Sequence, residues 1–133
     1  QPIVFKNETV YDQFNKVHKN SALKDCINFL KADLREEFKK YLNGNKLCPH
    51  GMFITKAYLL NRYCEILFPW MEKCYAYCVE KKLIKDYNIR LPCFMMERFV
   101  SFWFSKNIKK RQLSYARLGH FMLSNNINKF INP

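Results

Sequence analysis

A glutamate and an arginine stand side by side in a segment that is otherwise almost entirely apolar. Glu97 and Arg98 lie inside residues 94–102, where the remaining side chains are Phe, Met, Val and a single Ser. A charged pair in such surroundings is either a buried ion pair that supports the fold or a catalytic carboxylate with its partner. The residue types alone leave both interpretations open.

Two clusters of basic residues are the second feature that could do chemistry. The first consists of Lys81, Lys82 and Lys85, and the second occupies residues 106–111. A run of this kind is either a solvated face or a site for an anion. The whole chain has a net charge of +12. Such a charge favours an anionic partner, such as nucleic acid, an anionic membrane surface or a phosphorylated small molecule.

Most motifs of catalysis and ligand binding are missing from the sequence. It contains no Gly-rich phosphate loop, no H-E-x-x-H, no G-x-S-x-G and no D-x-D. The three histidines, His18, His50 and His120, are scattered and are not spaced with cysteines as zinc ligands would be. The chain itself therefore predicts no metal site and no cofactor.

The six cysteines are best explained as reduced thiols. No two of them form a C-x-x-C pair, and three fall on one helical stripe with alternating steps of four and three residues. The members of that stripe are Leu60, Cys64, Leu67, Met71, Cys74 and Cys78. Reduced structural thiols predict a cytosolic protein.

Length and composition describe one folded domain. The chain has 133 residues, of which 49% are hydrophobic and 26% are charged, values that exclude intrinsic disorder. Aromatic residues are unusually common, at 17%. No apolar run reaches the roughly 18 residues that a membrane-spanning helix needs.

The first third of the chain has the spacing of helices. We expect Thr9 to cap a helix that continues to about Lys19, and a second helix to open at Ser21. A third helix should start in residues 33–36, which have capping-box spacing, and end at residues 43–45. The apolar positions expected to face the core are Val10, Phe14, Val17, Leu23, Ile27, Leu30, Phe38, Tyr41 and Leu42.

A long helical pattern covers residues 57–82, and Pro69 either kinks this helix or starts a second segment. The other elements predicted here are a buried strand at 48–55, a loop at 86–92, a helix at 93–107, an edge strand at 112–118 and a frayed tail at 124–133. The prediction is therefore a mainly α fold with one or two short strands, in a single domain over residues 1–133.

The first six residues have the character of the end of a strand, with neither an initiator Met nor the layout of a signal peptide. We therefore expect the chain to be part of a longer protein. Composition and spacing alone lead no further than a cytosolic, mainly helical, basic domain.

Residues 87–98, YNIRLPCFMMER, align without a gap with the signature Y-Q-x-R-x-F-G-F-L-x-E-R. In this respect the chain resembles a bacterial family of glycosyltransferases encoded in capsule, exopolysaccharide and O-antigen clusters, long catalogued as a domain of unknown function. The helix after that signature usually carries a Trp, which Trp103 matches here.

Three further segments resemble the family in the same order and with similar spacing. Residues 52–56, MFITK, resemble N-M-F-I-M-K, and residues 63–68, YCEILF, resemble Y-C-x-W-L-F. Residues 9–14, TVYDQF, together with His18, resemble V-Y-x-Q-Y and its following His. The resemblance spans about residues 1–118, and several short motifs in register are more specific than any single one.

The chain departs from the family at several positions. Asn88 replaces a Gln, and residues 92–93 replace Phe-Gly. Gly51 stands where the family has Asn, and we expect His50 to replace the lost side-chain contact. The family's N-terminal half, with its H-Y-R-R motif, is not in this chain, so we expect the chain to be the C-terminal half of such a protein.

The resemblance implies a GT-A-like α/β fold for the whole protein, with this chain as its acceptor-side C-terminal portion. It implies transfer of a sugar from a nucleotide sugar to a growing surface polysaccharide. The acceptor would be polyprenyl-diphosphate-linked or an oligosaccharide, at the inner face of the cell membrane. The chain alone would be inactive, and any divalent metal would be held mostly by the missing half.

The resemblance also implies roles for individual residues. Glu97 would be the catalytic base that takes the proton from the acceptor hydroxyl. Arg98 and Arg90 would hold Glu97 ionised or contact the donor diphosphate, since a guanidinium matches both oxyanions. The other expected substrate-binding residues are His50, Met52, Tyr87 and Asn88.

Two other classes of function remain open at this point. The net charge alone would also permit a non-catalytic nucleic-acid-binding module. Nucleic acid is the less favoured partner, because the chain has neither an RNP-type aromatic strand nor a helix-turn-helix glycine turn. A protein-interaction domain that regulates an upstream enzyme is the third class.

Overall fold

The computed structural model of the chain describes residues 3–49 and 55–109, with side chains up to residue 107. The predicted edge strand at 112–118 and the predicted tail at 124–133 lie outside these ranges. Most of the predicted strand at 48–55 also lies outside them, and its described members, 48, 49 and 55, are not in a strand.

The chain folds mainly into helices, as the sequence predicts, with one small sheet. The elements in chain order are β1 (Ile3–Val4), α1 (Val10–His18), α2 (Ala22–Cys26), a 3-10 helix (Ile27–Phe29), α3 (Ala32–Leu42), β2 (Lys46–Leu47), α4 (Ala57–Glu80), a second 3-10 helix (Asp86–Arg90) and α5 (Leu91–Lys109). β1 pairs antiparallel with β2, and Ile3 lies opposite Leu47.

Helix α1 begins where the sequence predicts. The Thr9 side chain accepts a hydrogen bond from the Asp12 amide at 3.0 Å, and the Asp12 carboxylate accepts one from the Thr9 amide at 3.2 Å. Phe14 is buried, but the prediction that Val17 faces the core is wrong, since Val17 is 41% exposed. The inner face continues four residues beyond Phe14 instead, at His18.

Helix α2 opens after Ser21, as the sequence predicts, but the start of α3 differs from the predicted capping box. Ser21 precedes α2 but makes no side-chain cap, and the Asn20 side chain instead accepts from the Ala22 amide at 3.0 Å. Helix α3 begins at Ala32, so the predicted capping box at residues 33–36 is wrong. Its cap position is Lys31, and Asp33 already lies in the first turn.

Helix α4 is one continuous helix with Pro69 inside it, so no second segment starts at the proline. Its buried residues are Leu59, Tyr63, Leu67, Trp70, Cys74 and Cys78. The predicted position of Leu60 on this face is wrong, because the buried stripe starts one residue earlier and Leu60 is 39% exposed. All six cysteines are free thiols.

The predicted loop at residues 86–92 is also wrong. Residues Asp86–Arg90 form the second 3-10 helix, and α5 begins at Leu91. Pro92 falls in the first turn of α5, where the N–H that proline lacks has no partner inside the helix.

Aromatic side chains form the centre of the core, where α3, α4 and α5 meet. The Phe38 ring meets those of Trp70 and Phe99 edge to face, at centroid distances of 5.9 and 5.4 Å. The Trp70 indole donates to the Cys26 carbonyl oxygen at 2.8 Å, which ties α4 to α2. In the described part of the chain, no helix combines the length and the hydropathy needed to cross a membrane.

Candidate functional site

The residues of the signature segment surround the C-terminal end of α1. Tyr87 and Asn88 lie in the second 3-10 helix, and Arg90 is its last residue. Glu97 and Arg98 lie in the second turn of α5. The other two predicted site residues, His50 and Met52, lie outside the described residues.

The side-chain amide of Asn88 makes two hydrogen bonds to the last residue of α1. Its Nδ2 donates to the His18 carbonyl oxygen at 2.9 Å, which leaves Oδ1 to accept from His18 Nδ1, also at 2.9 Å. Nδ1 therefore carries the hydrogen of the neutral imidazole, and Nε2 keeps its lone pair.

Aromatic rings enclose the His18 imidazole. The rings of Phe14 and Phe94 lie 4.5 and 4.6 Å from it, and Tyr87 stacks on it at 5.8 Å with an interplanar angle of 16°. Only 3% of His18 is exposed. This burial lowers the pKa of His18 below its usual 6.5. The hydrogen bond to Asn88 raises the pKa and the positive charge of Arg98 lowers it, and the net shift is downward. His18 is therefore neutral at pH 7.

Arg98 is a buried cation whose two terminal nitrogens both donate inside the protein. Nη1 donates to the Phe94 carbonyl oxygen at 2.7 Å, and Nη2 donates to the Gln13 side-chain oxygen. The guanidinium carbon lies 4.8 Å from the centre of the Phe14 ring. Burial lowers the pKa of Arg98 to about 10, so the side chain stays charged at neutral pH.

Glu97 is half-buried and, among the described residues, makes no hydrogen bond and no ion pair. Adjacent residues on a helix do not face each other, and Arg98 turns towards Gln13 on α1 instead. The negative charge of Glu97 nevertheless raises the pKa of Arg98 and so offsets part of the effect of burial. The buried ion pair that the sequence left open is therefore not formed, and the carboxylate is free to accept a proton or a hydrogen bond.

Arg90 and Tyr87 form the exposed side of the cluster. Tyr87 is 64% exposed and stacks on the Phe94 ring at 5.4 Å. Arg90 is also exposed, with its guanidinium carbon 5.9 Å from the centre of the same ring. The described residues accept no hydrogen bond from Arg90, so an aromatic face and a guanidinium can bind a sugar ring and an oxyanion side by side here.

A pocket of about 650 Å³ opens beside this cluster, between the end of α1 and the segment that joins α4 to the second 3-10 helix. His18, Tyr87 and Asn88 line it. The pocket lysines are Lys19, Lys81, Lys82 and Lys85. The first predicted basic cluster thus lies next to Tyr87 and Asn88, whereas Arg90, Glu97 and Arg98 are not in the pocket lining.

Sequence reasoning did not assign a role to two residues that complete the cluster, Gln13 and His18. Both belong to the segment at residues 9–18 that resembles the same family as residues 87–98. Two motifs of one family that are distant in sequence often meet in space, and this signal could have joined them. The described residues contain no group of three or more His, Cys, Asp or Glu that could hold a metal ion.

Comparison with protein families gives a match over most of the chain. Residues 1–109 match the family described as a domain of unknown function, DUF4422, and this description states no activity. Neither the curated proteins nor the solved structures gave a match. The matched range contains the end of α1, the pocket lysines and all of the signature residues. The chain belongs to the DUF4422 family.

Proposed function

We propose that the chain is the acceptor-side, C-terminal part of a GT-A-like glycosyltransferase. The enzyme transfers a sugar from a nucleotide sugar to a surface polysaccharide during capsule, exopolysaccharide or O-antigen synthesis. The acceptor is polyprenyl-diphosphate-linked or an oligosaccharide, and the reaction takes place at the cytoplasmic face of the cell membrane.

One observation carries this proposal. Two segments that resemble the polysaccharide family, residues 9–18 and 87–98, come together through specific polar contacts in which a buried group binds a half-buried one. Asn88 binds both the ring and the carbonyl group of His18, and Arg98 binds Gln13 across 85 positions of sequence. Polar groups that satisfy one another in this way hold nearby side chains in fixed positions, as a catalytic site requires.

The residues of the cluster have three roles, which are substrate binding, positioning and proton acceptance. Tyr87 and Arg90 are exposed and present an aromatic face and a cation to substrate. Arg98 is a positioning residue, because both of its terminal nitrogens already donate within the protein. Glu97 is the proton acceptor for the acceptor hydroxyl, since it is half-buried and its carboxylate has no partner among the described residues.

The test uses the whole protein to which we assign this chain as the C-terminal half. It is incubated with a panel of nucleotide sugars and with an extract of lipid-linked acceptors, and the release of nucleotide is measured. We expect release from one nucleotide sugar that depends on the extract. A folded protein that releases nucleotide from no member of the panel would contradict the proposal.

The rival nucleic-acid-binding function is distinguished by a second measurement on the chain. Binding to random oligonucleotides and to vesicles containing polyprenyl phosphate is compared over a salt series, because both interactions are electrostatic. If the chain takes part in glycosyl transfer, we expect binding to the vesicles to persist at salt concentrations where binding to oligonucleotides is lost. The opposite order would favour the nucleic-acid-binding module.

A further inference from the structure

We propose that the pocket at the end of α1 is a binding site for a phosphate-type anion, in which Lys19, Lys82 and Lys85 hold the anion beside His18. The ligand class is a phosphate monoester or a diphosphate small enough for a pocket of about 650 Å³. This inference rests on the pocket alone and stands whether or not the chain takes part in sugar transfer.

The backbone at the end of α4 places a lysine where glycine is the usual residue. The Leu83 amide donates to the Cys78 carbonyl at 2.9 Å and the Lys82 amide donates to the Val79 carbonyl at 3.0 Å, which is a Schellman motif. Its left-handed position is Lys82, at φ 54°. A side chain in this conformation is disfavoured relative to glycine, so the turn itself gives no reason for a lysine.

Two more non-glycine residues of the pocket have a left-handed backbone conformation. Lys19 ends α1 at φ 54°, and Asp86 begins the second 3-10 helix at φ 49°. These two residues and Lys82 are the non-glycine residues with positive φ in the described ranges, and all three line the pocket. Disfavoured backbone conformations that gather in one place are typical of functional sites.

The charges of the pocket favour an anion. Lys19, Lys82 and Lys85 are exposed and, in the part of the chain that the structure describes, make no ion pair. Lys81 is different, because it pairs with Glu80 at 3.0 Å. The acidic residue in the lining is Asp86. Three free cations against one carboxylate leave a surplus of positive charge.

The partial negative charges of two helix ends oppose an anion but do not cancel this surplus. Each helix C-terminus carries about half a negative charge. At the end of α1, the His18 carbonyl accepts from Asn20 and Asn88, and at the end of α4 the Schellman bonds occupy two carbonyls. Their lone pairs are therefore directed at protein donors rather than at a bound anion.

His18 gives the site a polar wall that is almost completely buried. The His18 side chain lines the pocket, and only 3% of the residue is exposed. Its Nδ1 is bound to Asn88. Nε2 is left without a protein partner among the described residues. A protonated phosphate oxygen can donate to this nitrogen, while the lysines bind the unprotonated oxygens.

The experiment measures binding of inorganic pyrophosphate to the chain by calorimetry in 150 mM salt, with Tm recorded for every variant. The test variant replaces both left-handed lysines, Lys19→Gly and Lys82→Gly. We expect its affinity to fall about tenfold or more, because two charge-assisted contacts are lost. We expect its Tm to equal or exceed that of the unchanged chain, because glycine suits both backbone positions.

The control variant removes the same charge elsewhere. Lys31→Gln and Lys40→Gln lie at the start and on the surface of α3, outside the pocket lining. We expect this control to change the pyrophosphate affinity less than about twofold, because only the long-range field is reduced. Equal losses in the test and control variants, or no pyrophosphate binding by the unchanged chain, would overturn the proposal. A test variant that loses affinity only together with a lower Tm would overturn it as well.

Three further ligands distinguish the sources of the phosphate. Uridine diphosphate, phosphatidylcholine vesicles containing undecaprenyl phosphate, and vesicles of phosphatidylcholine alone are each compared between test and control variants. The ligand for which the affinity falls most in the test variant identifies the source of the phosphate as a nucleotide or a lipid headgroup. A random oligonucleotide is measured in the same way. If the affinity for it falls more than the affinity for the other ligands, a small-phosphate site is contradicted.

Discussion

His18 links the stability of the fold to pH. Its pKa is lowered in the folded protein, chiefly by burial, so the unfolded chain binds the proton more readily. The stabilising contribution of neutral His18 is therefore fully present at high pH and is lost as the pH falls through 6.5, the ordinary value. We expect the free energy of unfolding to decrease there by up to about 1.4 kcal/mol per pH unit.

The measurement is denaturant unfolding between pH 7.5 and 5.5, with His18→Gln for comparison. The variant should have a shallower dependence on pH, whatever its absolute stability, because the other titrating groups are common to both proteins. Parallel curves for the two proteins would show that His18 does not titrate in this way.

Glu97 offers a second prediction at the scale of a single residue. Glu97→Gln keeps the shape of the side chain and removes its charge, so a catalytic base should lose on the order of 10²–10⁴ in turnover of the whole enzyme. Because Glu97 has no ion pair within residues 3–49 and 55–107, Tm should change little. The matched control is Glu65→Gln on the exposed face of α4. Equal turnover in the two variants would exclude Glu97 as the base.

The sequence could locate these residues but not their partners. The signature at residues 87–98 contains both Glu97 and Arg98, and their opposite charges suggested an ion pair, although neighbours on a helix do not face each other. Arg98 binds Gln13 instead. A contact across 85 positions depends on how α1 packs against α5, and no local pattern encodes that packing.

At the scale of elements, Ser101 joins three parts of the fold. Its hydroxyl oxygen lies 2.6 Å from that of Tyr41 on α3 and accepts from the Cys48 amide, just after β2, at 2.8 Å. Ser101 is buried and Ser101→Ala removes both hydrogen bonds, so we expect a loss of about 1–3 kcal/mol in the free energy of unfolding.

The control for Ser101 lies one helical turn further along α5. Ser105→Ala removes a hydroxyl that, in the described part of the chain, has no hydrogen bond, and it should change the stability by less than about 0.5 kcal/mol. Both variants are compared by urea unfolding at one pH. A similar loss in the two would mean that Ser101 does not tie the elements together.

The helices themselves could largely be predicted, because their apolar residues recur with helical spacing. The errors lie at positions where two neighbouring residues compete for one role. His18 rather than Val17 is buried at the end of α1, and Leu59 rather than Leu60 faces the core. Such choices depend on tertiary packing, which the local sequence does not fix.

At the scale of the whole molecule, catalysis requires donor and acceptor to be held together. If this chain supplies only the acceptor side, the isolated 133 residues should release no nucleotide from any nucleotide sugar above a heat-inactivated control. The same residues within the whole protein should do so. Turnover by the isolated chain would contradict the proposed division of the enzyme.

The most direct test of the proposed sugar transfer uses two exposed tyrosines. Tyr87 is 64% exposed at the cluster and Tyr75 is 58% exposed on α4, so neither Tyr87→Ala nor Tyr75→Ala should cost much stability. The measurement is kcat/KM for acceptor-dependent nucleotide release by the whole enzyme. We predict a loss of about tenfold or more for Tyr87→Ala and less than about twofold for Tyr75→Ala. Equal values for the two variants would contradict transfer at this site.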